Sequence, residues 1–453
     1  MDYADFVKTK ERKTFDVGFA SSKLHSQLFP FQDFATKWAI QKGRAALFED
    51  CGLGKTFQQL EWAYKYEQEY KKPVLIFAPL AVSSQTRKEG AHFGYDVSIV
   101  RNQDQVKDKG LYITNYEMME HFDPSKFGGI VLDESSILKN FTGKYRKALT
   151  EFSHQIQYRL ACTATPAPND LIEIVNHAVF LSVMNGKEII ACYFIQDGNT
   201  THQWRLKGHA SNDFWAWVST WAMAVRKPSD LGFDDSGYVL PELIINNHTV
   251  DGHIQDGLLF PIEAVSLLDQ RKAKRESLID RVGMAADIAN NSGDSCVVWC
   301  YLNDESRALK LAIPDAIEVT GGDTAEQKED ALMGFADGRY RVIITKPSIA
   351  GFGMNWQHCN HQVFVGVDHS FEKFYQAVRR CWRFGQTRDV TIDIIAAETE
   401  SRIVANIERK QRQSDSMMQN IIGHMNKQYN IGKYQESIHN TNSAELPAFL
   451  KGV

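Results

Sequence analysis

Several features are missing from this sequence, and each absence excludes something. No stretch approaches the ~18 consecutive apolar residues of a membrane-spanning helix, so no membrane span is expected. The first residues, Met1 to Lys13, are polar and charged, which is not the pattern of a secretory signal. The 7 cysteines are scattered, without a C-x-x-C pair or a His/Cys cluster, so nothing points to zinc. Cys296 and Cys300 fall in an apolar, strand-like run, and reduced, buried thiols of a cytosolic protein are expected. Strong charge of either sign is also absent. A net charge of −5 neither supports nor excludes nucleic acid, because a binder needs only a basic track. No internal sequence repeat is visible.

What is present is ordinary globular composition, with 43% hydrophobic and 24% charged residues. At 453 residues the chain is too long for one ordinary core, and two or three domains are expected.

The stretch Glu49-Asp50-Cys51-Gly52-Leu53-Gly54-Lys55-Thr56 follows the apolar run Arg44 to Phe48. It precedes Phe57 to Tyr70, which has helical periodicity. Strand, glycine turn and helix are the parts of a phosphate-binding loop. Gly52 and Gly54 let backbone N–H groups approach phosphate oxygens, and the helix adds its N-terminal partial charge. Lys55 would reach the β- and γ-phosphates, and the Thr56 hydroxyl would hold Mg²⁺. Glu49 stands where the full pattern has glycine, so the core G-x-G-K-T is what remains.

Upstream, Pro30 can start a helix with Phe34, Trp38 and Ile40 on its buried side. Gln32 is placed to read an adenine edge, its amide both donating and accepting. A surface glutamine on an amphipathic helix is the alternative. Downstream, strand-like runs occur at 73–79, 97–100, 111–114, 129–134 and 158–166, with helical stretches such as Leu80 to Phe93 between them. This alternation argues for a parallel sheet covered on both faces. Ligands bind at the carboxyl ends of strands in such sheets. The loop, Asp133-Glu134 and Thr163-Ala164-Thr165 all fall at such ends. Asp133 can hold Mg²⁺, and Glu134 can orient or deprotonate an attacking water.

Residues 167–270 interrupt the alternation and carry Trp204, Trp215, Trp217 and Trp221 among basic residues. Aromatic stacking on bases and helix packing are both open, with packing favoured for most of them. Asn212 to Val225 has helical spacing, and Asp197-Gly198-Asn199 is a hairpin-type turn signal. From Arg271 the alternation resumes. Arg271 to Asn290 reads as a helix, followed by strands at 295–300, 316–319, 341–345, 361–365 and 390–395 and helices between. Ser348 to Asn355 is glycine-rich after a strand. Gln376 to Gln386 reads as helical, with Arg380 and Arg383 on one face where two guanidinium groups suit phosphate oxygens. A basic surface helix is the alternative. Arg402 to Met425 is helical, and the tail becomes polar near Asn440.

The ordered series FQ, EDCGLGKT, APLA, TNYE, DESS, TATP, SIAGFGMN and QAVRRCWRFGQ resembles the Swi/Snf-like branch of superfamily 2 helicases from residue 31 to 386. The compact size and the segment RKPSDLG are similar to helicase-like ATPases of bacteriophages and mobile elements. The resemblance implies an α/β fold of two tandem RecA-like parallel-sheet lobes, with a helical insertion and a helical C-terminal tail. The expected boundaries are 1–166 for an ATP-binding lobe, 167–270 for an aromatic-rich insertion, 271–400 for a second lobe and 401–453 for the tail.

The resemblance also implies ATP and Mg²⁺ as cofactors. Gln32, Gly52, Gly54, Lys55, Thr56 and Gly353 would bind the nucleotide, with Thr56 and Asp133 on the metal. Lys55, Asp133, Glu134, Gln376, Arg380 and Arg383 would be catalytic, the two arginines acting as fingers. Thr163 and Thr165 would couple hydrolysis to lobe movement. Thr114, Asn115, Ser348 and Asn355 would touch a nucleic-acid backbone. Departures from the family pattern are the reversed acids Glu49-Asp50, DESS in place of D-E-A-H, and Arg379 where many relatives have glycine. The implied function is an ATP-dependent translocase or helicase on duplex or branched DNA, of low sequence specificity. An RNA helicase and an ATP-switched adaptor are the alternatives. Replication, repair or DNA-modification proteins are expected as partners, with no membrane. The expected location is the cytoplasm, that of a bacterial host if the chain is phage-encoded.

Overall fold

The computed structural model describes residues 16–21, 23–80, 82–140, 143–196, 204–250, 275–350 and 354–429. Short apolar runs bounded by turns become strands, and they gather into two parallel sheets, each in its own compact unit. The described parts of the first unit are 16–167, 171–236 and 415–429. Those of the second lie within 168–170 and 237–414.

In chain order the first unit holds β1 (Arg44–Glu49), β2 (Val74–Ala78), β3 (Val97–Ile99), β4 (Leu111–Asn115), β5 (Gly129–Asp133) and β6 (Tyr158–Cys162). The antiparallel pair β7 (Phe194–Gln196) and β8 (Trp204–Leu206) follows, then β9 (Ala222–Val225). Its helices are α1 (Pro30–Lys42), α2 (Lys55–Tyr70), α3 (Ser83–His92), α4 (Lys144–Ser153), α5 (Ile174–Phe180), α6 (Gly186–Tyr193) and α7 (Ser211–Val218). The main sheet runs β3-β4-β2-β5-β6-β1-β9, with every neighbouring pair parallel. Because β5, β6 and β1 are adjacent, the three strand ends that carry Asp133, Thr163 and the glycine loop lie side by side.

The second unit holds β10 (Leu243–Val250), β11 (Cys296–Trp299), β12 (Ala316–Glu318), β13 (Val342–Thr345), β14 (His361–Val365) and β15 (Val390–Ala397). Its helices are α8 (Leu278–Asn291), α9 (Asn303–Ala312), α10 (Ala325–Ala336), α11 (Pro347–Ala350) and α12 (Phe371–Val378). The sheet order is β10-β15-β14-β11-β13-β12, again all parallel. Alternate residues of β11 point to opposite faces. Val297 and Trp299 join one apolar cluster, Cys296 and Val298 the other, so helices cover both sides.

Helix α13 (Ser401–Tyr429) is a single element with two allegiances. Ile403 and Ile407 are buried in the core of the second unit, and Met417, Met418 and Ile421 in that of the first.

Residues 167–236 are not a separate insertion in this fold. They supply β9, which pairs with β1 along Ala46↔Ala222 to Glu49↔Val225, and their tryptophans Trp215, Trp217 and Trp221 are core residues. Trp204 is half-buried against the same core. The helix expected over 212–225 ends at Val218, and the last four of those residues form the strand instead. Four apolar residues are too few for periodicity to separate strand from helix. Strand β10, an apolar Leu-Ile-Ile start followed by Asn-Asn-His-Thr, likewise lies before the expected boundary at 271 and pairs with β15. The hairpin signal at 197–199, the helix start at 271–274 and the loop glycine Gly353 lie outside the described residues. Of the seven cysteines, Cys51 is half-buried and Cys192 exposed, and the other five are buried thiols.

Candidate functional site

Strand β1 ends at Glu49, the chain turns through Gly52 and Gly54 at φ +90° and +80°, and α2 begins at Lys55. Positive φ is what glycine permits at no steric cost. Gly54 has a second reason to be glycine, since a Cβ there would lie 2.3 Å from the Gln32 amide nitrogen. That amide donates to the Leu53 carbonyl at 2.8 Å, and its oxygen accepts from the Phe29 N–H at 3.0 Å. Gln32 therefore sits beside the loop and is fastened to it.

The Lys55 ammonium donates to the carbonyls of Glu49 and Asp50 at 2.8 and 2.9 Å. Three donors belong to an ammonium, so one is left for an incoming group. Burial disfavours its charge, but the neighbouring Cys51, Glu134, Glu49 and Asp50 outweigh it and hold its pKa above the ordinary lysine value.

Glu49 is completely buried. One carboxylate oxygen accepts from Gln58 at 2.7 Å and the other has no hydrogen-bond partner. Burial pushes its pKa up to about 7, against the opposing pull of Lys55 and Gln58. The next helical residue, Gln59, donates to Asp133 at 2.9 Å, and burial raises the Asp133 pKa as well. Two consecutive glutamines of α2 thus hold the two acids. Nothing in the sequence reading singled them out. Their one signal is a pair of adjacent amides in the turn that follows a nucleotide-type loop.

Glu134 follows Asp133 in left-handed backbone, φ +56°, which a side chain rarely adopts. Thr163, just after β6, donates from its hydroxyl to the Glu134 carboxylate at 3.4 Å and accepts from the Thr165 N–H at 3.1 Å. Strand ends, loop and helix thereby bring Gln32, Gly52, Gly54, Lys55, Thr56, Asp133, Glu134, Thr163 and Thr165 into one region of the first unit. Thr114 and Asn115 stand apart from it, at the end of β4. Thr114 is buried, and neither its hydroxyl nor the Asn115 side-chain oxygen has a hydrogen-bond partner.

In the second unit, α12 stops at Val378. Arg380 and Arg383 are therefore not on one helix face. The main-chain bonds tighten there, with Arg380 N–H reaching Ala377 and Gln386 N–H reaching Arg383, until Gly385 turns the chain at φ +93°. The two guanidinium groups still converge, both donating to the Met354 carbonyl at 2.9 and 3.4 Å. Gln376 is buried on α12. Arg379 is fully buried, its guanidinium 4.9 Å from the Trp382 ring and close to Tyr375 and Phe384. Its place in the sequence pattern is thus a packing choice. Ser348 and Asn355 are exposed.

Asp133 and Thr56 offer a carboxylate and a hydroxyl, the hard oxygen donors that Mg²⁺ takes alongside phosphate and water. Among the described residues no group of three or more His, Cys, Asp or Glu gathers as an all-protein metal cage. The donor set fits a cation shared with a nucleotide, not one held by the protein alone.

Residues 31–187 match the SNF2-related domain family, and residues 273–385 match the helicase conserved C-terminal domain. The chain belongs to the Swi/Snf-like branch of the superfamily 2 helicases. One relative of this Swi/Snf-like chain is the SWI/SNF-related matrix-associated actin-dependent regulator of chromatin subfamily A-like protein 1 of Bos taurus. It is 30% identical over 84% of this chain and 44% of its own length. The DNA annealing helicase and endonuclease ZRANB3 of Mus musculus is 26% identical over 33% of this chain and 15% of its own length. The chain thus spans less than half of either relative. A Sulfolobus solfataricus SWI2/SNF2 ATPase core, solved in complex with dsDNA, is 18% identical. That comparison covers 90% of this chain and 95% of that one at a TM-score of 0.43. Among the described residues no helix is long and apolar enough to cross a membrane.

Proposed function

We propose that this Swi/Snf-like chain hydrolyses ATP and uses it to move along duplex or branched DNA with low sequence specificity. The observation that carries the reading is the set of groups at the adjacent ends of β5, β6 and β1. A lysine, a hydroxyl, two acids and a coupled threonine pair stand together there.

The backbone N–H groups of the glycine loop and the first turn of α2 bind the phosphates, and the free donor of Lys55 reaches the terminal ones. Gln32, already against the loop, faces the adenine. Thr56 and Asp133 would hold Mg²⁺, which would neutralise phosphate charge. Glu134 orients the attacking water. In this reading Arg380, Arg383 and Gln376 are the catalytic candidates of the second unit, the two arginines as charge-stabilising fingers for phosphoryl transfer. Thr163 and Thr165 pass the state of Glu134 to the lobe. In this reading Asn115 of the first unit and Ser348 and Asn355 of the second contact the nucleic-acid backbone, whereas Thr114, expected among them, is buried and out of reach. Such contacts carry little sequence information, hence the low specificity. Support for DNA comes from the family and from relatives named as a DNA annealing helicase and a chromatin regulator. A replication, repair or DNA-modification protein is the partner class this reading favours.

ATPase rates without nucleic acid and with single-stranded, duplex, forked and four-way DNA, and with RNA, test it. DNA is expected to stimulate turnover, and duplex or branched forms most. No stimulation by any DNA structure overturns the motor, and stronger stimulation by RNA reassigns its track. Lys55→Ala is expected to lower turnover at least ~100-fold with the fold retained, in line with the removal of one preorganised charge-stabilising donor. Normal turnover in that variant overturns the site assignment.

A further inference from the structure

Glu134 holds an unfavourable backbone conformation, and something nearby must impose it. Residues Ser135–Lys139 form a tight 3-10 turn directly after it. Two consecutive side chains of α5 grip that turn. Asn176 donates from its amide to the Leu138 carbonyl at 2.8 Å. The His177 Nε2 atom lies 3.1 Å from the Ser135 hydroxyl oxygen. Both side chains, and Ser135 itself, are buried. On its other side the His177 ring meets Phe48 edge-on at a centroid distance of 5.2 Å. Phe48 immediately precedes Glu49, at the root of the glycine loop. Burial drives the His177 pKa down to about 4, so the ring is neutral at physiological pH and can share one proton with the serine.

We propose that His177 is a positioning residue. Through Ser135 it fixes the turn that aims the Glu134 carboxylate, and through Phe48 it ties that turn to the strand that carries the nucleotide loop. The stretch Asp133-Glu134-Ser135-Ser136 has no histidine of its own, and α5 brings an imidazole to it from 42 positions beyond Ser135. The inference rests on the ATPase reading above, because its effect is on hydrolysis.

The bond predicts a defect in the chemical step without one in nucleotide binding. A misplacement of about 1 Å can cost on the order of 100-fold in rate, so a slackened turn is expected to cost about tenfold. The variants are His177→Phe, which keeps the ring's bulk, His177→Gln, which keeps a hydrogen-bonding group, Ser135→Ala, and the double variant His177→Phe/Ser135→Ala. Single-turnover ATP hydrolysis, ATP affinity and thermal unfolding are measured on the full chain.

His177→Phe and Ser135→Ala are each expected to slow hydrolysis about tenfold while ATP affinity stays within about twofold. The double variant is expected to be no slower than the worse single one, and His177→Gln to recover most of the rate. Unchanged hydrolysis in a folded His177→Phe overturns the inference, as do additive losses in the double variant. Parallel losses of affinity and rate also overturn it. If His177→Phe does not fold, Ser135→Ala and His177→Gln give the same reading. A wild-type chain without ATPase, or one indifferent to Lys55→Ala, overturns the ATPase reading itself. Lys55-dependent turnover that ignores His177 and Ser135 overturns this inference alone.

Discussion

Each unit seals a carboxylate inside its sheet, and the two are treated in opposite ways. In the first unit Glu49 ends β1 with one oxygen on Gln58 and the other without a hydrogen-bond partner, and burial lifts its pKa to about 7. In the second, Asp393 sits on β15 between neighbouring strands. His248 and Asn246 lie on one of its oxygens, at 2.7 and 3.1 Å, and His361 lies on the other at 2.6 Å. Burial opposes its charge too, but these partners prevail and lower its pKa to about 2. Arg281 and Glu305 repeat the second pattern. They pair at 2.7 Å with no exposure, the arginine also donating to Val365 and Ser277 and the glutamate accepting from the N–H groups of Tyr301 and Leu302. Compensated charge of this kind holds a fold together. The under-compensated acids Glu49 and Asp133 lie around Lys55 at the proposed nucleotide site, and their cost of burial is a sign of a site built for function.

The largest way to break the comparison is in the second unit. Arg281→Met removes one half of a buried pair and leaves the Glu305 carboxylate without its cation. The expected loss is about 3–5 kcal/mol. Denaturant unfolding followed by the fluorescence of Trp299 and Trp356, both in that unit's core, reads it. A loss below about 1 kcal/mol would mean that the pair is not what holds α8 and α9 together.

In the first unit the sign reverses. Glu49→Gln keeps the shape and the acceptor for Gln58 and removes the buried charge. The wild-type pKa is raised on folding, so the folded state binds the proton more tightly than the unfolded one. The penalty is absent below about pH 4.5 and grows as pH rises to about 7. The variant is therefore expected to match wild type at pH 4.5 and to exceed it by up to about 3 kcal/mol above pH 7. Unfolding midpoints across that range check it. A variant less stable than wild type at pH 8 would show that Lys55 needs the Glu49 charge more than the fold resents it.

The sequence made the first half of this contrast legible and hid the second. The glycine loop, Asp133-Glu134 and Thr163-Ala164-Thr165 are contiguous, and strand alternation places them at carboxyl ends before any coordinate is known. Both parallel sheets follow from the same alternation. What holds Glu49, Asp133 and Glu134 is not contiguous. Gln58 and Gln59 look like any helix polar residues, and His177 lay in a stretch read as an insertion. Strand β9 was lost because Ala222–Val225 continues the apolar spacing of α7, and β10 because the apolar run of Leu243–Val250 stops after three residues and the strand has a single neighbour. The arginine turn kept the three-residue spacing of a helix while leaving the helix. Spacing alone recovered the convergence of Arg380 and Arg383 but not the backbone that produces it.

The smallest expected effect sharpens the comparison most, because it uses the same chemistry as Glu49 with the sign inverted. Asp393→Asn keeps the volume and removes the charge that His248, His361 and Asn246 surround. The wild-type carboxylate has a pKa lowered on folding, from 3.8 to about 2, so its stabilisation is complete above pH 4 and is lost as pH falls toward 2. The variant is expected to be less stable than wild type by about 2 kcal/mol above pH 4, with the difference closing between pH 4 and 2. Glu49→Gln and Asp393→Asn thus make a matched pair of carboxyl-to-amide changes. One gains stability as pH rises through 4.5 to 7, and the other has already lost it above pH 4. Two curves of the same sign would refute the division of labour between the sheets, whatever their size. Opposite signs would tie the unpaid burial to the nucleotide loop and the neutralised burial to the scaffold.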